Sequence, residues 1–256
     1  MSGTLPDDAE IIDDLVVLGR AGPELIEKDG RHTVCLGGWS ESKGFVRLYP
    51  THKYSNAKRW NVIKVPVIKD PDDYRDESWK IVGSKEDWDH LHEKIEKVDE
   101  LSRPEAIELT KKIPKTCRHI INNREQSLGL VEPEIENVYL NPIEDPEPIH
   151  TDLEGNRLKS KGAYQQKLYV EYTCKDVCEA KTGHDQHCIE WGMYRFWDNH
   201  PDRDPEEVID ALHLRDDDYK KFFFIGNQKN HPTSYIIISV IRWKKDKMFQ
   251  KRISDW

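Results

Sequence analysis

The chain has no run approaching the roughly 18 apolar residues that a membrane-spanning helix needs. Its first residues, MSGTLPDDAEIIDD, carry neither the basic start nor the apolar core of a secretory signal. Both absences predict a soluble, cytoplasmic protein with no membrane partner. Cysteine is scarce as well: there are five in 256 residues, an odd number, and three of them fall between Cys174 and Cys188. That clustering is unlike the even spread of a disulfide framework, so reduced thiols or metal ligands are expected. No Gly-rich phosphate loop and no Gly-x-Ser-x-Gly elbow occurs, so neither of those chemistries is signalled. With 36% hydrophobic and 34% charged residues, the elements should be amphipathic beneath a heavily charged surface. The length is nonetheless sufficient to bury a core without covalent help.

Positive charge is the minority sign. A net charge of −9 argues against a surface that attracts phosphate everywhere, but the charges are segregated. Acid gathers in KDPDDYRDE, IEDPEPIHTDLE and DNHPDRDPEE, and base in RLYPTHKYSNAKRW, KKIPKTCRHIINNR, NRLKSKGAYQQK and RWKKDKMFQKR.

Residues 15 to 70 read as β structure. LVVLG, HTVCLGGW, GFVRLYP and WNVIKVPVI are short β-branched and aromatic runs separated by turn-forming residues, which suggests a small, OB-like barrel. HTVCLGGW and GFVRLYP make a hairpin across SESK. From Ser84, with Asp87 three residues on, the recurrence of Trp88, Leu91, Ile95 and Val98 predicts an amphipathic helix. Ser102, Pro104 and Glu105 start a second, shorter helix that runs to about Lys112. SLGLVEPEIENVYL is extended again. The Pro- and Gly-rich segment 141–162 then marks a linker or exposed loop between a β-rich domain, 1–140, and a C-terminal domain, 163–256. The latter opens on the strand QKLYVEYTC and holds a helix at PEEVIDALHL. It closes with a buried hairpin, KKFFFIG to SYIIISVIRW. The fold class is therefore α+β, a small barrel-like N-terminal domain joined to a mixed domain built around the cysteine cluster and the terminal hairpin.

CKDVCEAKTGHDQHC carries the spacing C-x3-C-x5-H-x3-C through Cys174, Cys178, His184 and Cys188. Thiolate and imidazole suit zinc, and ligands a few residues apart on a turn can reach one ion. Gly183 would let the backbone fold tightly before His184. His187 competes with His184 or Cys188 as a ligand. Four protein ligands close the site, so the zinc is expected to be structural rather than catalytic. The stretch resembles a CCHC zinc knuckle, with each step altered by one residue.

Two further groups of residues suggest binding. Arg47, Tyr49, Lys53, Lys58, Arg59 and Trp60 interleave base with aromatics, the ingredients of a surface for single-stranded RNA or DNA; the alternative is a hairpin with a charged edge. Asn227 and His231 lie on the polar loop of the closing hairpin and, with Glu190, form a possible substrate site.

VCLGGWSESKGFVRLYP, KRWNVIKVPV, DYRDESWKI, SLGLVEP, HCIEW and FFFIGNQKNHPTSYIIISV together resemble an uncharacterised prokaryotic protein family. Its marks are an Ala-Gly step, a Trp-Val/Ile-Arg-Leu-Tyr-Pro strand, an Asp-x-Arg-x-Glu-Ser segment, an Asp-Trp-Glu segment and a Phe-Phe-Leu-Gly-x4-His-Pro hairpin. This chain departs from them with Gly38 for Ala, Phe45 for Trp, and Glu190-Trp191-Gly192 for Asp-Trp-Glu. The resemblance names no activity. The expected function is a zinc-containing, nucleic-acid-associated binding protein without catalysis at the metal. An enzyme acting on nucleotides or nucleic acid, or a module that binds a protein partner through its acidic loops, are the alternatives.

Overall fold

Alternation of apolar and polar residues in NVIKVPVIK turns Ile63, Val65 and Val67 to one side, and the same rule applied to the neighbouring strands rolls the sheet around them. In a computed structural model, which describes residues 5–26, 31–52, 55, 57–83, 87–123, 126–151, 157–175, 178, 180 and 182–248, the first sheet has seven strands. They are β1 (Glu10–Arg20), β2 (Glu24–Ile26), β3 (Arg31–Ser40), β4 (Gly44–His52), β5 (Asn61–Lys69), β6 (Ser78–Ile81) and β7 (Glu96–Glu100). β1 pairs with β3 through Val16↔Trp39 and with β5 through Leu15↔Ile63, so the ring β1-β3-β4-β6-β5 closes into a five-stranded barrel. Ile12, Leu15, Val17, Leu36, Val46 and Leu48 fill it with the β5 residues. β2 and β7 hang on its outside, on β3 and β5.

The helix expected from Ser84 is not formed. Ser84 lies outside the described residues, Trp88–Lys94 is a 3-10 segment, and Glu96–Glu100 is strand β7, with Lys97 opposite Ile63. Trp88 and Leu91 do bury against the barrel, three residues apart as one 3-10 turn requires. Val98 is 45% exposed, so the helical period ended before it. The next helix does form, as α1 (Arg103–Lys112), with the Ser102–Glu105 capping box and Pro104 in its first turn.

The second sheet runs β8-β14-β15-β13-β12-β9, built from β8 (Leu128–Val131), β9 (Pro133–Pro142), β12 (Gln166–Cys174), β13 (His184–Cys188), β14 (Tyr219–Gln228) and β15 (His231–Lys244). Two short strands, β10 (His150–Thr151) and β11 (Arg157–Leu158), pair within the excursion between β9 and β12. Helices α2 (Arg118–Asn123), α3 (Trp191–Asn199), α4 (Glu207–Ala211) and α5 (Lys245–Met248), with a 3-10 turn at Lys161–Ala163, complete the described elements. Among the described residues no helix is long and apolar enough to cross a membrane. β8 and β9 were expected in the N-terminal domain but belong to this sheet, so the change of unit falls between β7 and β8. Segment 141–162 is therefore an insertion within the second unit rather than a linker before it. β8 and β9 stand at opposite ends of the strand order, yet only Glu132 separates them in the chain. The sheet must curl until its edges meet there.

Barrel and sheet press closely together. A Cβ on Gly37 would come within 2.3 Å of the Phe224 ring, and one on Gly19 within 2.3 Å of Ser239 Cβ. Phe45, on the outer face of β4, stacks on Phe224 at 5.9 Å between ring centroids. β4 is thus covered on both sides, by the barrel core and by the closing hairpin.

Candidate metal centre and barrel–sheet interface

Cys117, Cys174, Cys178 and His184 bring their ligand atoms within 4.8 Å of one another. Three come from the expected stretch: Cys174 ends β12, Cys178 sits in the following loop, and His184 opens β13. Gly183, at φ +70°, turns the chain back beside the Tyr172 carbonyl. The fourth, Cys117, arrives from far upstream. Thr116 N–H donates to the Leu130 carbonyl at 2.9 Å, and Lys115 bridges to Leu130, so the segment before α2 lies along β8. Cys174 pairs with Pro133, at the start of β9. The cluster therefore sits at the seam where the two edges of the second sheet meet.

Cys188 is not in this group. A strand advances about 3.3 Å per residue, which carries Cys188 roughly 13 Å from His184 along β13. There it is fully buried opposite Ile237, and burial pushes its thiol up to about 12. His187 faces the other side of β13 from His184 and stacks on Tyr169. With a distant cysteine as fourth member and two ligands on strand ends, the arrangement is not a zinc knuckle.

The donor set fits a tetrahedral ion. His184 Nε2 lies 3.3 Å from Cys117 Sγ and 3.5 Å from Cys178 Sγ. The edges of a tetrahedron with Zn–S of about 2.3 Å and Zn–N of about 2.0 Å are roughly 3.5 to 3.8 Å. Cys117, Cys174 and His184 are buried, and hydrogen bonding with Cys117, reinforced by burial, holds the Cys174 thiol well up. A cation among these ligands would reverse that condition at Cys174. His184 Nδ1 has no partner among the described residues, so the ring is oriented by packing against Tyr172 and His119. Cys117 is the lone cysteine of the basic run KTCRH, with no second thiol at metal-binding spacing to mark it in the sequence.

The proposed phosphate strip is dispersed. Arg47 is 2% exposed: its strand face, which sequence alternation left open, is covered by the second sheet. Its Nη1 donates to Ser127 Oγ at 2.8 Å and Ser78 Oγ at 3.3 Å, and its Nη2 to the carbonyls of Ser127 at 3.0 Å and Asn227 at 3.3 Å. Arg59 forms an ion pair with Glu190 at 2.6 Å and reaches the Val240 carbonyl. Trp60, at φ +73°, packs on Trp243. Tyr49 is half-buried and Lys58 exposed, while Lys53 lies outside the described residues. The described members, Arg47, Tyr49, Lys58, Arg59 and Trp60, do not present one surface to a strand.

Nor does the possible substrate site converge as drawn. Asn227 and His231 line a cleft of about 460 Å³ between barrel and sheet, whereas Glu190, 5% exposed, turns to Arg59 and accepts from Val240 N–H at 2.6 Å. Glu190 is a clamp between the two units. The residues that do converge come from the Arg-Leu-Tyr-Pro, Asp-x-Arg-x-Glu-Ser and hairpin motifs. Arg75 Nη1 donates to the same Asn227 carbonyl at 3.1 Å as Arg47 does, and Glu77 accepts from Ser127 N–H and Oγ. Burial opposes charge on Asp73, but hydrogen bonds from the Arg75 guanidinium and backbone N–H outweigh it and hold the carboxyl at about 2.

No curated protein matches the chain. Residues 12–109, which hold the barrel strands and most of α1, match a family model described as a domain of unknown function (DUF8758), so the barrel part of the chain is similar to an uncharacterised family.

Proposed function

We propose that the cluster of Cys117, Cys174, Cys178 and His184 holds one zinc ion as a structural staple. The observation that carries this is its position, with three buried ligands and a fourth half-buried at the seam of the curled sheet. Four protein donors leave no open position for water, so no hydrolytic role attaches to the metal. Elemental analysis of protein purified without a metal-binding tag should give one zinc per chain. Fully folded protein without metal would overturn the proposal.

The reading of a nucleic-acid-associated protein is supported by a different surface from the one that the sequence suggested. Tyr139, Tyr169 and His187 are directly opposite one another on β9, β12 and β13. Their rings stack at 5.6 and 5.3 Å across the outer face of the second sheet, all half-buried. Arg118 and Lys161 border the groove that Tyr169 and His187 line. Rings on a sheet face beside cations suit the stacking of unpaired bases and the pairing of phosphates. An anisotropy titration of a labelled single strand across salt tests this. Tyr169→Ala should weaken binding by about 1–3 kcal/mol with the salt slope unchanged. Arg118→Ala should reduce that slope by roughly 0.7. Absence of binding at low salt would discard the reading.

A further inference from the structure

Asn227, on the wall of the cleft between barrel and sheet, keeps a buried acceptor to which no described residue donates. Asn227 is 8% exposed, and its Nδ2 donates to the Pro232 carbonyl at 2.9 Å, which fixes the end of the amide that is oxygen. Its backbone is already engaged, the N–H with Ser127 and the carbonyl with Arg47 and Arg75. Oδ1 has no partner among the described residues. A buried acceptor left unpaired is costly, so a ligand that brings an N–H there gains more than it would in water.

The walls narrow the ligand further. Ile189, Ile236 and Ile238 supply apolar surface, and the half-buried Tyr49 adds a ring. Lys229 and His231 are exposed at the mouth, on the turn of the closing hairpin. Four cationic side chains, Arg47, Arg75, Lys161 and Lys229, line the cleft; Arg75 is paired with Asp73 and Lys161 with Glu24, whereas Lys229 reaches Asp70 only at 4.0 Å. A volume of about 460 Å³ falls within the roughly 300–1,000 Å³ of small-molecule sites.

A ligand with flat apolar faces, an N–H on its edge and an anionic end is a nucleotide. We propose that this cleft is a nucleotide site, in which a base N–H donates to Asn227 Oδ1, the base lies against the isoleucines, and the phosphate meets Lys229 and His231. The proposal rests on the nucleic-acid reading for its ligand class. The nucleotide is either free or an unstacked member of a strand, because Lys161, Ile189, Gln228 and Ile236 line both this cleft and the groove beside the aromatic ladder.

The test is calorimetric titration of the full chain with the four common nucleosides and their 5′-monophosphates, beside a labelled single strand of about eight nucleotides. At least one monophosphate should bind. Lys229→Ala combined with His231→Ala should weaken it about tenfold and leave the matching nucleoside unchanged, while Asn227→Ala should weaken both about tenfold. Asn227 also supports Pro232, so the exposed double variant keeps the test decisive if Asn227→Ala does not fold. Monophosphates that bind the variants as well as the parent overturn the proposal. So does a strand that binds through Tyr169 while no monophosphate binds and the double variant is silent, in which case the strand reading survives alone. Monophosphate binding without strand binding leaves the cleft proposal standing and removes the strand; no binding of either removes both.

Discussion

The guanidinium of Arg47, on the barrel, donates to the backbone carbonyl of Asn227, 180 residues away in the second sheet. With Ser127 and Ser78 it makes Arg47 a buried cross-brace, and burial lowers its affinity for a proton. Arg47→Leu leaves two carbonyls and the Ser127 hydroxyl with fewer donors, and should cost about 3 kcal/mol or more in urea unfolding. Arg47→Lys should recover only part, because one ammonium cannot span both carbonyls and both hydroxyls.

Acid should reveal Asp73. Held at about 2 against an ordinary 3.8, its carboxyl stabilises the fold above about pH 4, and the contribution drains away as pH falls through about 2. Asp73→Asn should therefore lose on the order of 2 kcal/mol near neutrality, and the gap between parent and variant should close in strong acid. A gap that stays constant over that range would assign the loss to packing instead.

Two buried cysteines, Cys117 from outside the expected stretch and Cys188 at its end, separate metal binding from core packing. Cys117→Ser should lose the metal and loosen the second sheet, whereas Cys188→Ala should keep a full complement of zinc and lose about 1–2 kcal/mol of packing. Metal content beside thermal unfolding of both variants distinguishes them.

Contact between the units depends on missing side chains. Gly37→Val places carbon where the Phe224 ring stands, and overpacking of this kind should cost at least about 1–3 kcal/mol. A melting temperature unchanged in Gly37→Val would mean that the sheet can withdraw from the barrel.

Strand periodicity, turn residues and the capping box at Ser102 were legible because each is written within a dozen residues. So was most of the candidate metal site: Cys174, Cys178 and His184 are local, and thiols beside imidazole say what they suit. Cys117 was not legible, because only the pairing of Thr116 with Leu130 brings it there. Arg47 misled for a related reason. Alternation along β4 shows which side chains leave the barrel, but it cannot show that a second sheet waits outside. The Trp88–Val98 pattern failed differently, since spacings of three and four fit one 3-10 turn followed by a strand as well as they fit a helix.

The matched family span stops at residue 109, before Ser127, Phe224 and Asn227 enter the chain. A fragment cut there would keep every barrel strand and its filled interior, yet it would turn Phe45 and the charge of Arg47 out to solvent on a wall shaped for another surface. The closed ring is therefore a topological unit without being a self-sufficient one, and such a fragment should be recovered insoluble or bound to whatever can stand in for the missing half.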